Sequence, residues 1–434
     1  MRINRFSYHF IKIFFPWIVL ILWAPVYGAG LTPLIVNALK LDPRILSAKA
    51  EIRASQAEVD GTYAAYYPVI TGSGLYGRVK NDEPSQNDGD KRTYGLQIEQ
   101  PLPFFGRESA SIDISKAEVR LKQIELKRLR QSVFFEVLET AITLRAQLLS
   151  LRLRELMVDN LFSKVRFLKD SVAGGEAKMN EYYLAQSDSI QMQVLEAQAQ
   201  TEHITTLEKL RSLAQGVTVE PEFMAADLST LGLSVIPADF DLALSDSLSK
   251  SPLLLLAGYD LKKAQAELAF AKVSIWPELS LNYSLERGTF GDESADTNSV
   301  SLNLNVPLFE GGSSMAKIAT MRHRVEAKRE KLDQQNRLHH QELQEVWSRW
   351  KSAIRMVLML QTANEQGQQI VDAIQVQLAS GANTVLVELS ARLAVIETQL
   401  QEINEKKQRD LALVTLLQQM GYLVLPNNLG SVAD

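Results

Sequence analysis

Histidines, cysteines and clustered carboxylates are the side chains that most readily do chemistry, and this sequence holds few of them. The 434 residues contain 5 histidines and no cysteine, so there is no thiol nucleophile, no disulfide and no lipid-modified N-terminal cysteine. His203, His323, His339 and His340 are the histidines beyond the N-terminal apolar run. His339 and His340 are adjacent, whereas a helical metal pair needs a second ligand about four residues on. Leu343 and Gln344 stand there and are not ligands, so no metal site and no cofactor is expected. No P-loop, G-x-S-x-G or H-E-x-x-H motif occurs, which leaves an enzymatic reading without a constellation. Met179, Met192, Met356 and Met359 are scattered as core fillers are. The basic runs at Lys127, Arg128 and Arg130 and at Lys328, Arg329 and Lys331 read as solvated helix faces. With a net charge of -5 and bases interspersed among acids, nucleic acid is not an expected partner.

Two short glycine turns carry more local information. Ala173-Gly174-Gly175-Glu176 and Ala379-Ser380-Gly381-Ala382-Asn383 interrupt long periodic segments at matching places. Gly174, Gly175, Gly381, Ala382 and Asn383 are candidate docking tips for a partner, or else ordinary corners where glycine supplies a left-handed backbone. Leu386, Val387, Glu388, Leu389 and Ser390 follow the second turn.

The elements that must position these turns are two rods. Gly311 to Ala379 lacks proline and carries a seam with alternating steps of four and three through Leu332, His339, Leu343, Val346, Trp350, Ala353, Val357, Asn364, Gly367, Val371 and Leu378. At 1.5 Å per residue such a helix is roughly 100 Å long. Moved back by 206 residues, the frame lands on a second mostly apolar seam, including Leu126, Val133, Val137, Leu144, Leu151, Leu161 and Leu168. The polar seam positions of the second rod are expected to face neighbouring rods.

The repeat sets the organisation. Arg2, Arg5 and Lys12, the apolar run Ile13 to Ala24 and the small residues Gly28, Ala29 and Gly30 predict a signal peptide over 1–30. The first repeat spans 31–215, with a helix from Leu31 to Tyr66 stopped by Pro68, a β-hairpin over 69–102 and a long helical hairpin over 106–215. A linker follows over 216–240. The second repeat, 241–423, has a helix near Ser251 to Ser274, a β-hairpin over 279–306 and a helical hairpin over 311–423, before a tail at 424–434. Polar loops are expected from Val79 to Arg92 and from Gly288 to Asn298.

Leu279, Leu281, Tyr283 and Leu285 alternate with polar residues, as do Val300, Leu302, Leu304 and Val306. This suits a soluble hairpin with one buried face or a membrane strand of about 9–11 residues. Beyond the signal peptide no stretch approaches a spanning helix, so a membrane crossing would be made by strands. Four strands cannot close a barrel, and open edges cannot sit in lipid. The membrane reading therefore requires pooling between chains, and three chains supply an even count of twelve.

The chain resembles the TolC family of outer-membrane efflux ducts over essentially all of the sequence beyond 1–30. The likeness rests on the junctions Tyr67-Pro68-Val69-Ile70 and Trp276-Pro277-Glu278-Leu279, on the exits Gln100-Pro101-Leu102-Pro103-Phe104-Phe105-Gly106 and Val306-Pro307-Leu308-Phe309-Glu310-Gly311-Gly312, and on the tip at Gly381 leading to Leu389-Ser390-Ala391. It implies a mixed α and β membrane fold: a homotrimer with a twelve-stranded barrel in outer-membrane lipid, continued by an α-helical periplasmic tunnel. It further implies a periplasmic adaptor and an inner-membrane pump, the latter of the resistance-nodulation-division type, docking at the tips. Substrate passes unaltered. The Gln100 to Arg107 stretch and the Ala173 to Glu176 tip look closer to members serving divalent-metal pumps. One departure concerns the gate. The family prototype narrows its aperture with two carboxylates that fall here on Val387 and Ser390, so an aspartate ring is not expected; Leu386, Val387, Glu388, Leu389 and Ser390 together are the candidate periplasmic constriction that the resemblance implies. An outer-membrane component of type I protein secretion and a periplasmic coiled-coil scaffold are the alternatives.

Overall fold

A computed structural model describes residues 31–79, 89–215, 239–290 and 293–423. The expected signal peptide, most of the expected linker, the tail and the tips of both β-hairpins lie outside the described residues. Helices α1 (Leu31–Leu41) and α2 (Pro43–Tyr63) lead through a 3-10 turn, Ala64–Tyr66, to strands β1 (Val69–Val79) and β2 (Gly89–Leu102). Then come α3 (Arg107–Ala173) and α4 (Met179–Ala214). The second half repeats the order with α5 (Phe240–Lys250), α6 (Pro252–Val273), β3 (Glu278–Phe290), β4 (Glu293–Asn305), α7 (Ser313–Ala379) and α8 (Val385–Gln419).

The rods α3 and α7 are both 67 residues long, beginning and ending at the same offset of 206. Their seams are the buried rows. Val133, Val137, Thr140, Leu144, Leu151, Leu161 and Leu168 are buried on α3, and His339, Leu343, Val346, Trp350, Ala353, Val357 and Val371 on α7. Each fully buried leucine contributes about 1.5–3 kcal/mol of transfer free energy, so a seam this long holds its helix without a globular core.

Three expectations are corrected. The expected helix from Leu31 to Tyr66 is broken at Asp42, because Pro43 lacks the N–H that would continue it; the Asp42 carboxylate instead accepts from the Arg44 amide at 2.8 Å. An additional helix, α5, precedes the one expected from Ser251, so each repeat opens with an 11-residue helix and a longer one started by proline. The expected loop from Gly288 to Asn298 is mostly strand, since β3 runs to Phe290 and β4 starts at Glu293.

Polar seam positions of α7 find partners on helices packed against it within the chain. His339 lies 2.9 Å from the Ser247 hydroxyl of α5. Asn364 hydrogen-bonds Glu402 of α8. Gly367 admits α8 so closely that an added Cβ would sit 2.9 Å from Val395 Cγ2.

The strands form one antiparallel sheet in the order β1-β2-β3-β4, so β2 and β3 join the two repeats while β1 and β4 are its edges. Register sorts the side chains. Rows on one face read Leu102, Leu279, Leu304; then Gln100, Leu281, Leu302; then Ile70, Ile98, Tyr283, Val300; then Gly72, Leu96, Leu285, Asn298, mostly apolar throughout. The opposite face carries Thr71, Gln97, Ser284, Ser299, Asn282, Ser301, Ser280 and Asn303. Below the sheet, where helices begin, Phe105 stacks on Trp276 at 5.8 Å, and Arg107 pairs with Glu278.

Candidate functional site

Both rods end in the same turn. Gly175 (φ 81°) and Gly381 (φ 72°) adopt the left-handed conformation, and a Cβ at either would meet nothing within 4 Å. Backbone conformation, not crowding, demands glycine there. The Gly175 amide donates to the Val172 carbonyl at 3.1 Å and the Glu176 amide to Ser171 at 2.8 Å. Gly381 donates to Leu378 at 3.1 Å and Ala382 to Gln377 at 2.9 Å, the same paired closure that satisfies a helix end. Gly174 remains right-handed and caps α3. Asn383 donates from its side chain to Gln377 Oε1 at 2.9 Å and accepts from the Thr384 amide at 3.2 Å, which fixes the second tip more tightly.

The five residues after that tip do not share a surface. Val387 and Ser390 are exposed and Leu386 is half-buried, while Glu388 and Leu389 are each only 2% exposed. Leu389 packs with Met157, Leu161, Leu168, Ala185 and Met192, so it serves the contact of α3, α4 and α8. Glu388 accepts from Lys164 of α3 at 2.7 Å, from Arg392 at 3.0 Å and from Gln375 of α7 at 3.3 Å. Burial alone would push this carboxyl up, but the donors from Lys164, Arg392 and Gln375 outweigh it and hold the group below the usual carboxylate range. The carboxylate is thus committed to three helices of its own chain.

Sequence reasoning missed Lys164, Gln375 and Arg392. The i,i+4 spacing of Glu388 and Arg392 was a usable signal; Lys164, 224 residues away, had none. Among the described residues no group of three or more His, Asp or Glu side chains is placed to hold a metal, and no helix is long and apolar enough to cross a membrane.

Paired rods of equal length, set below a sheet with one apolar and one polar face, define a class: subunits of outer-membrane channels with long α-helical extensions. The model of the outer membrane efflux protein family matches residues 34–216 and 243–422, and the chain belongs to that family. It is a TolC-type outer-membrane protein of the Gram-negative envelope. It is 21% identical over 404 residues to the outer membrane efflux protein BepC of Brucella suis biovar 1, covering 91% of this chain and 85% of that protein. It is 24% identical over 409 residues to the alkaline protease secretion protein AprF of Pseudomonas aeruginosa, covering 87% and 81%. Among solved structures, CusC superposes with a TM-score of 0.82 at 16% identity, covering 91% of this chain and 92% of that one. The Campylobacter jejuni outer membrane channel CmeC gives 0.79 at 15% identity, covering 93% and 89%. Family membership sets aside the periplasmic scaffold.

Proposed function

We propose that three copies of this chain close a twelve-stranded barrel in the outer membrane and a helical tunnel beneath it. Through this duct small toxic solutes or metal ions leave the cell passively and unaltered. The observation that carries this reading is the sheet: among the described residues its edges β1 and β4 have no partner strand, and its mostly apolar face suits lipid, so closure with further copies satisfies the edge backbone. The tips at Gly174, Gly175, Gly381, Ala382 and Asn383 receive a periplasmic adaptor, which couples the duct to an inner-membrane pump of the resistance-nodulation-division type. Exposed Val387 and Ser390, with half-buried Leu386, line the periplasmic constriction.

A second reading, the outer-membrane component of type I protein secretion, is supported by the similarity to the alkaline protease secretion protein AprF. Deleting the gene separates the two. Sensitivity to toxic solutes or divalent metals, restored by the intact gene, supports the efflux duct. Loss of a secreted protein with unchanged solute tolerance supports secretion and overturns efflux.

A further inference from the structure

Above its apolar rows, the same face of the sheet becomes cationic and aromatic. The next rows are Tyr94, Arg287 and Asp296; then Tyr76, Arg92, Thr289 and Ser294; then Arg78 and Asp90. Arg92 is the centre of this patch. It lies directly opposite Tyr76 on β1 and Thr289 on β3. Arg78 and Arg287 are therefore its diagonal neighbours, and such positions are about 7–8 Å apart on a sheet face.

Among the described residues the three guanidinium groups are only loosely engaged. Arg92 lies over the Tyr76 ring at 5.4 Å, and no carboxylate bonds it among the described residues. Arg78 meets Asp90 only at 3.9 Å and Arg287 meets Asp296 at 3.4 Å, with the arginine side chains 76% and 68% exposed. Loose, solvated pairs like these are worth little and exchange readily for a better anion. At the same height the opposite face offers Lys91, Thr93, Glu286 and Thr297, a mixed set without arginine.

We propose that Arg78, Arg92 and Arg287, with Tyr76 and Tyr94, bind the phosphorylated headgroup of a glycolipid in the outer leaflet of the outer membrane. The face identifies the ligand. Apolar rows running up to Tyr94 and Tyr76 place acyl chains directly below, and aromatic residues mark the level where chains give way to headgroups. A phosphate at that level belongs to the lipid whose chains cover the rows beneath. Planar guanidiniums on adjacent strands straddle it with paired N–H donors, which a lysine cannot reproduce.

The test is lipid retention by the purified full-chain protein in detergent, read by native mass spectrometry during titration with bisphosphorylated lipid A. The same lipid stripped of phosphate and inorganic phosphate are run beside it. Wild type is expected to retain lipid A, and Arg92→Ala with Arg287→Ala to weaken retention roughly tenfold. Arg92→Lys with Arg287→Lys should recover part of it. Lys91→Ala, on the opposite face, should change nothing. Equal retention by the double alanine variant, or of the phosphate-free lipid by wild type, overturns the proposal. Competition by inorganic phosphate as strong as by lipid A overturns it too, because the site then serves a soluble anion. Retention lost in Lys91→Ala but kept in the arginine variants would invert the face assignment and refute it. Because retention is read without transport, failure here leaves the efflux reading to its own experiment.

Discussion

Lys164 Nζ lies 2.7 Å from Glu388 Oε2, and this contact joins α3 to α8 through a carboxylate that is only 2% exposed. It ties the first repeat to the second a few residues beyond the glycine turn at Gly381.

Replacing Glu388 with Gln leaves Lys164 and Arg392 facing a neutral amide. A loss of about 2 kcal/mol is expected, since hydrogen bonds to charged groups contribute that much and water reaches both bases. Thermal unfolding should shift down, and channels in planar bilayers should show a leakier closed state. Unchanged closed-state conductance would remove Glu388 from the account of closure.

The same group sets an acid limit. Its folded pKa lies below the ordinary 4.5, so its contribution is complete above that value and is lost as pH falls through the lower, folded one. His339 acts earlier. Burial, and then His340, holds its imidazole below the ordinary 6.5, so the folded state binds fewer protons and stability falls as pH drops below 6.5. In His339→Gln this neutral-range slope should shrink to the part contributed by His203, whose imidazole is also held below its ordinary value by burial, while the slope near the carboxylate range stays. Unfolding midpoints measured across both ranges check the pair.

Gly381→Lys is expected to leave oligomer assembly and outer-membrane insertion intact while abolishing export. A side chain at φ 72° strains the turn by about 1–2 kcal/mol and projects a charge into the open space beyond the tip. Export assays and membrane fractionation on the same strain read both outcomes. Wild-type export from this variant would reduce the tips to corners.

Gly367→Ala should destabilise the α7–α8 pair by about 1–3 kcal/mol through overpacking, because the added methyl lies 2.9 Å from Val395 Cγ2. Val395→Ala in the same chain should restore much of the loss. A double-mutant cycle on thermal unfolding shows the coupling; additive losses would deny the contact.

Val300→Arg places a charge in the middle of the apolar rows and should cost about 2–4 kcal/mol in lipid, blocking outer-membrane assembly. Ser301→Arg, one residue on and therefore on the other face, should assemble and alter only conductance. Equal assembly of both variants would contradict the lipid-facing assignment.

The sequence by itself determined the duplicated plan, the two rods, the four strands and the glycine tips. Heptad spacing, strand alternation and left-handed turns are local signals, and they survive because each depends on residues a few positions apart. Legibility stopped where partners are distant in sequence. Nothing local reveals that β2 pairs with β3 or that Lys164 finds Glu388, whereas the Asp42-Pro43 break was a local capping signal that the helical periodicity around it obscured. The candidate constriction shows the difference most clearly. By the family resemblance Glu388 and Leu389 were among the gate candidates, yet both are buried in their own chain. His339, Asn364 and Gly367 likewise answer to Ser247, Glu402 and Val395. Only the packing of α5 and α8 against α7 decided this, because a seam position records that a residue is buried, and the tertiary structure alone says against what.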